Sequence, residues 1–224
     1  MNNYDVYILK TSFMHFINYT YIVFDRHSKE AAIIDPAWSL RAIKDKIESL
    51  NADVKAILLT HSHFDHTNLV APLVKEYCSN VFISQIEADF YNYTCKNLIK
   101  VNAGDRIGIG ESEFLCILTP GHTAGSMCYW LDDCFFTGDT VFYEGCGICE
   151  GAGASPSEMY KSFQRIKQLL PQDTRVYPAH CYGKFPGQPF RSLLKDNIYF
   201  QIEKEEQFVD FRMNRNKKGL FDFK

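Results

Sequence analysis

The chain has 224 residues, 46% of them hydrophobic and 23% charged, which is enough for one sizeable soluble domain with a real core. A net charge of −3 at pH 7 provides no broad attraction for nucleic acid or an anionic membrane, so neither is expected as a partner. The opening MNNYDVYILK lacks the basic-then-apolar pattern of a secretory signal, and no run is apolar enough to span a bilayer, which together predict a cytoplasmic protein.

Three apolar or β-branched runs separated by polar turns predict strands: VYIL (6–9), YIVF (21–24) and AAIID (31–35). At SLRAIKDKIESL (39–50) the period changes. Leu40, Ile43, Ile47 and Leu50 recur three or four apart behind Ser39 as N-cap, which predicts an amphipathic helix. KAILLT (55–60) reads as a buried strand, followed by a helix over about 68–78 and a short strand VFIS (81–84). Strands return at EFLCILT (113–119), SMCYWL (126–131) and CFFTG (134–138), with Asp132-Asp133 turning between the last two. SPSEMYKSFQRIKQLL (155–170) predicts a helix with Ser155 and Glu158 as a capping box and Pro156 in its first position. Met159, Phe163, Ile166 and Leu170 line one face. RVYPAH (175–180) closes the series. From about 196 the chain turns charged, so 196–224 is expected to be an extension, helical or frayed, on a domain spanning 1–195. This mixture predicts layered α/β packing.

The eight cysteines (Cys78, Cys95, Cys116, Cys128, Cys134, Cys146, Cys149 and Cys181) show no framework spacing, and in a reducing compartment they are expected as thiols packed like small hydrophobes. The lone Cys146-Gly147-Ile148-Cys149 pair, with no second pair, is read the same way.

The chemistry lies with the histidines. Of seven, five follow predicted strand ends: His61, His63 and His66 after AILLT, His122 after EFLCILT, and His180 after RVYPA. Asp65 sits within the first cluster, and Asp139 follows CFFTG. Strand ends of an α/β layer share one rim, so these donors can meet although far apart in sequence. Imidazole and carboxylate donors suit zinc, and also iron or manganese. Seven donors exceed the needs of one tetrahedral ion but suit two ions sharing a carboxylate. Gly121, Gly125 and Gly138 beside them allow tight backbone turns. His15 and His27, without companions, are expected to be ordinary surface residues.

The run H-x-H-x-D-H at 61–66, with TPGHTAGS, TGDT and YPAH, resembles the metallo-β-lactamase-fold hydrolases over roughly residues 5–185. TGDTVFYEGCG (137–147) is most similar to the glyoxalase II-like branch. The resemblance implies a four-layer αβ/βα sandwich. It also implies two Zn(II) per chain: His61, His63 and His122 on the first, Asp65, His66 and His180 on the second, with Asp139 bridging. Asp65 is also expected to be the catalytic residue that orients the attacking water. Two ions lower the pKa of a water and polarise a carbonyl, and a thiolate leaving group suits zinc, so an acyl thioester is the expected substrate.

Two departures separate the chain from glyoxalase II. Ile148 occupies the place of a lysine after GCG, and about forty residues follow His180 where a long helical domain is usual. With the KFPGQPF loop (184–190), the chain looks more like the zinc-dependent hydrolases of trans-acyltransferase polyketide synthases, which implies an acyl carrier protein as the thioester's bearer. Tyr182 and Lys184 are candidate substrate contacts, with Phe142 and Tyr143 as candidates for an acyl pocket. Glyoxalase II activity and an iron-dependent persulfide dioxygenase are the alternatives. The sequence gives no oligomeric state.

Overall fold

The computed structural model describes residues 3–14 and 16–215. Its first half runs β1 (Tyr4–Phe13), β2 (Phe16–Asp25), β3 (Glu30–Ile34), α1 (Leu40–Leu50), β4 (Asp53–Leu58), α2 (Phe64–Thr67), α3 (Val70–Tyr77), β5 (Asn80–Ser84), α4 (Gln85–Phe90) and β6 (Leu98–Val101). There follow β7 (Arg106–Ile109), β8 (Ser112–Leu118), β9 (Met127–Leu131), β10 (Cys134–Gly138), α5 (Pro156–Leu169), β11 (Arg175–Pro178), β12 (Gln188–Pro189), α6 (Phe190–Asp196), a 3-10 turn (Ile198–Phe200) and α7 (Glu205–Arg215).

Two six-stranded sheets result, ordered β1-β2-β3-β4-β5-β6 and β12-β11-β10-β9-β8-β7. β3 to β6 run parallel, while β1 and β2 add an antiparallel ribbon. In the second sheet only β10 and β11 are parallel.

The period-2 alternation of strand side chains sorts the core into three layers. Tyr21, Val23, Ala32, Ile34, Ala56 and Leu58 face Phe114, Met127, Tyr129, Phe136 and Tyr177 of the other sheet. Their chain neighbours Ile22, Phe24, Ile33 and Ile57 face outward, under Ile43 and Ile47 of α1 and Leu73 of α3. On the opposite side Phe135 and Val176 lie under Met159, Phe163 and Ile166 of α5 and Phe208 of α7. Helices therefore cover both outer faces. The architecture is the expected αβ/βα sandwich. Full burial of each such aliphatic or aromatic side chain stabilises the fold by about 1.5–3 kcal/mol.

The expected helix starts are where Ser39 and Ser155 put them, each side chain accepting from the N–H three residues on. The capping box at α5 is only half formed. Glu158 does not reach back, because the Ser155 N–H donates to Gly121 O at 2.9 Å and the Glu158 carboxylate takes the Lys161 ammonium. The expected 68–78 helix is α3, preceded by the separate turn α2. Sequence reading omits α4, β6, β7, β12 and α6. Of the charged stretch, α7 packs through Phe208 onto Phe163 and Tyr160 of α5; 216–224 lie outside the described residues, as does His15. His27 is exposed and contacts Glu111. All eight cysteines are thiols, and burial pushes that of Cys149 up to about 11. Among the described residues no helix is long and apolar enough to cross a membrane.

Candidate metal centre

The donors gather along one rim of the sandwich and come from both sheets. Beyond β4 the chain crosses Thr60 to His61, places His63 at the N-cap of α2, and carries Asp65 and His66 within that helix. The second sheet contributes His122 from the β8–β9 turn, Asp139 just past β10 and His180 just past β11. Gly138 sits at φ 51°, and a Cβ there would lie 2.3 Å from Thr60 Oγ1, so the approach of the two sheets at this rim needs glycine.

Two donor sets form around Asp139. His61 Nε2 and His122 Nε2 each lie 3.0 Å from His63 Nδ1. His180 Nε2 and His66 Nε2 lie 3.3 and 3.6 Å from Asp65 Oδ2. Asp139 reaches both: Oδ2 is 3.5 Å from His122 Nε2, while Oδ1 is 3.5 Å from His66 Nε2 and 3.4 Å from His180 Nε2. Sets of His61, His63 and His122, of Asp65, His66 and His180, and of His61, His66 and Asp139 each fit within 4.8 Å.

The 3.3–3.6 Å spacings around Asp65 and Asp139 suit cations better than hydrogen bonds, while His63 Nδ1 stands at hydrogen-bond distance from His61 and His122. His66 Nε2 and Asp139 Oδ1 are buried and have no hydrogen-bond partner, which is costly unless a cation sits between them. Donors about 2.0–2.2 Å from one tetrahedral ion stand about 3.3–3.6 Å apart. The donor chemistry, five imidazoles and two carboxylates, fits zinc.

Burial and neighbouring charges shift the donors of the cluster in opposite directions. Asp139 is held well below the usual carboxylate range: burial works against this, but His180, His66 and His122 outweigh it. Asp65 falls to about 2, because His180, His66 and Asn18 overcome its burial. Burial, reinforced by neighbouring histidines, pushes His61 and His63 down and keeps both rings neutral. His66 and His180 are raised despite burial, chiefly by Asp139, with Asp35 acting on His66 and Asp65 on His180.

Outer contacts set the orientation of each donor. His66 Nδ1 lies 3.0 Å from Asp35 Oδ2, and that carboxylate also accepts from the Thr60 N–H and hydroxyl at 2.8 and 2.6 Å. Ile148 O and Ile17 O lie 2.6 and 2.9 Å from the Nδ1 atoms of His122 and His180. Asn18 Nδ2 donates to Asp65 Oδ2 at 3.1 Å and is itself fixed by Trp38 Nε1–H at 2.7 Å. Buried Glu87 of α4 accepts from the Ser62 N–H and hydroxyl and from the Gly125 N–H, at 2.9, 2.7 and 3.0 Å. One carboxylate thus ties the 61–66 loop to the 122 loop. Sequence reading missed Asp35, Asn18 and Glu87. Only Asp35 carried a signal, an acid ending the apolar run AAIID.

Of the candidate substrate contacts, the Tyr182 ring lies 6.0 Å from that of His180 and 4.9 Å from that of Phe142. Lys184 is exposed, and its ammonium donates to Asp196 at 2.5 Å. Tyr143 is not a pocket residue. It is 2% exposed, with its hydroxyl donating to Val176 O. Exposed apolar side chains adjoin the donor loops at Phe64 (73%), beside His63, and Ile148 (55%), whose carbonyl meets His122; Phe64 lies against Trp38, and exposed Phe185 lies against Tyr19.

The sandwich and its rim of histidines define a metallohydrolase-type site, and the Metallo-beta-lactamase superfamily profile matches residues 14–180. The chain belongs to that superfamily. It is 52% identical over 223 residues to a Bacillus velezensis protein named "Probable polyketide biosynthesis zinc-dependent hydrolase BaeB", covering 100% of this chain and 99% of that one. A hydroxyacylglutathione hydrolase of Buchnera aphidicola is 37% identical over 183 residues, 82% of this chain and 70% of the relative. Among solved structures, ETHE1 from Myxococcus xanthus is similar with a TM-score of 0.83 and 26% identity, covering 94% of this chain and 91% of its own.

Proposed function

We propose that the protein is a dinuclear zinc hydrolase of acyl thioesters that releases acyl groups from a carrier protein of polyketide biosynthesis. The observation that carries the reading is the pair of donor sets facing each other across Asp139 with His66 Nε2 and Asp139 Oδ1 unsatisfied. The 52% identity over the full chain to a relative named as a polyketide biosynthesis zinc-dependent hydrolase supports it.

His61, His63 and His122 would hold one ion and Asp65, His66 and His180 the other, with Asp139 shared. Such a pair supplies a nucleophile from water at neutral pH and polarises the carbonyl under attack. Asn18 Nδ2 donates to Asp65 Oδ2 at 3.1 Å and fixes that carboxylate in the site. Asp65 accepts a hydrogen bond from the attacking water and so aims it. Asp35, Ile17 O and Ile148 O hold the histidine rings in their working tautomers. Phe64 and Ile148, on the donor loops, give the site an apolar border suited to an acyl chain.

The test joins metal analysis of the purified protein to a thiol-release assay over carrier-bound, pantetheine-type and glutathione thioesters. Two zinc ions per chain and fastest release from the carrier are expected. No metal-dependent thiol release anywhere in the panel overturns the reading. The Buchnera relative favours a second reading, glutathione thioester hydrolysis, and preference for lactoylglutathione would select it. One iron per chain with oxygen uptake would instead indicate persulfide oxidation.

A further inference from the structure

The loop from Asp139 to Cys149 does two things at the metal centre. It starts with the shared carboxylate, and its Ile148 O fixes the Nδ1 side of His122 at 2.6 Å, which aims Nε2 at His63. Gly147 lies between the two. Its N–H donates to Asp139 O at 2.8 Å, and a Cβ on it would lie 2.3 Å from that oxygen and 2.9 Å from the His122 ring. Any shift of Gly147 therefore reaches two donors at once.

The other side of this loop is held by the C-terminal segment. Arg212 of α7 is only 4% exposed, and its Nε–H donates to Gly147 O at 3.0 Å. Asn197, fully buried, donates from Nδ2 to Phe142 O and Gly145 O at 2.8 Å each. Three carbonyls of the loop are thus gripped from residues beyond 180, where the family match ends. Phe208 already seats α7 on Phe163. Burial of the guanidinium is unfavourable in itself and is offset by Cys146, Tyr199 and Cys149, the last also its hydrogen-bond partner. The buried cation does meet the loop carbonyl that backs the metal centre.

We infer that Arg212, assisted by Asn197, is a positioning residue of the metal centre: through Gly147 it sets the His122 ring and the backbone of Asp139. The charged C-terminal stretch is then part of the site's scaffold. The inference rests on the proposed metal roles of His122 and Asp139.

The test measures zinc affinity by competition with a chromophoric chelator in wild type, Arg212→Met and Phe208→Leu, together with thermal unfolding of the chelated proteins. Arg212→Met keeps length and burial but removes the donor, and is expected to weaken one of the two zinc equivalents by about 10–100-fold. Cobalt(II) bound at that site should show an altered ligand-field spectrum. Phe208→Leu loosens α7 packing and should lower the unfolding temperature with affinity unchanged. If Arg212→Met does not fold, Arg212→Leu, which also lacks a donor, serves in its place: weakened affinity supports the inference and wild-type affinity overturns it. Equal affinity in Arg212→Met and wild type overturns it, as does a loss in Phe208→Leu as large as that in Arg212→Met. A wild type that takes up no zinc overturns the metal reading and this inference together.

Discussion

In the proposed mechanism Asp65 carries the heaviest demand of any single residue, since it would both complete one donor set and aim the attacking water. Replacing it with alanine is expected to lower metal-dependent thioester turnover by about 10²–10⁴-fold while leaving the far-ultraviolet circular dichroism unchanged. Undiminished turnover would remove Asp65 from its assigned role. The donors themselves were legible in the sequence because three histidines and an aspartate crowd into residues 61–66, a pattern that packing alone gives no reason for. Their supports were not legible. Asp35 is 31 positions from the His66 ring it holds, and Glu87 is 25 from Ser62 and 38 from Gly125. Glu87 reads as an ordinary surface carboxylate until the chain is folded, and the place of Asp35 at the end of AAIID does not say which ring it holds. Ile17 O and Ile148 O are backbone atoms, and side-chain identity says nothing of them.

Among the elements, long periodic ones were readable and short ones were not. α1 and α5 have three or more apolar positions on one face plus a serine cap, so pattern and cap agree. β6 and β7 have four residues each and α4 has six, too few to establish a period. Yet α4 is what positions Glu87 between the two histidine loops. Glu87→Gln replaces one acceptor oxygen by a donor facing either Ser62 or Gly125. The resulting buried mismatch is expected to destabilise the chelated protein by about 1–3 kcal/mol, read by urea unfolding. A stability equal to wild type would show that the two loops are braced by something else. The half-formed cap of α5 has the same moral: the Ser155 N–H met Gly121 O, a partner that local sequence could not announce.

For the molecule as a whole, the layered class followed from the order of strands and helices, and the particular sandwich from the resemblance at the histidine motifs. The donor arrangement also fixes how the two sheets cohere. One donor set draws on both β4 and β8, the other on both β4 and β11, so each ion would clamp sheet to sheet. Each zinc at about 1,000 times its dissociation constant adds about 4 kcal/mol, so a pair adds about 8 kcal/mol, and for a chain of this size each kcal/mol moves the midpoint by about 2–4 °C. Stripping both ions with a chelator should therefore lower the melting temperature by about 16–32 °C, and adding zinc back should restore it. A midpoint indifferent to metal would mean the sheets are held by their apolar interface alone.

Because His61 and His180 are 119 positions apart, the site cannot be completed while the protein is being made until 119 further residues have followed His61. At about 5–20 residues per second that delay is roughly 6–24 s. During it the early cluster of three imidazoles and Asp65 waits for the shared Asp139 and its two distant partners, His122 and His180. Ions captured then would be held by a partial set and readily exchanged, so the finished fold, rather than whichever ion arrives first, decides what the enzyme keeps.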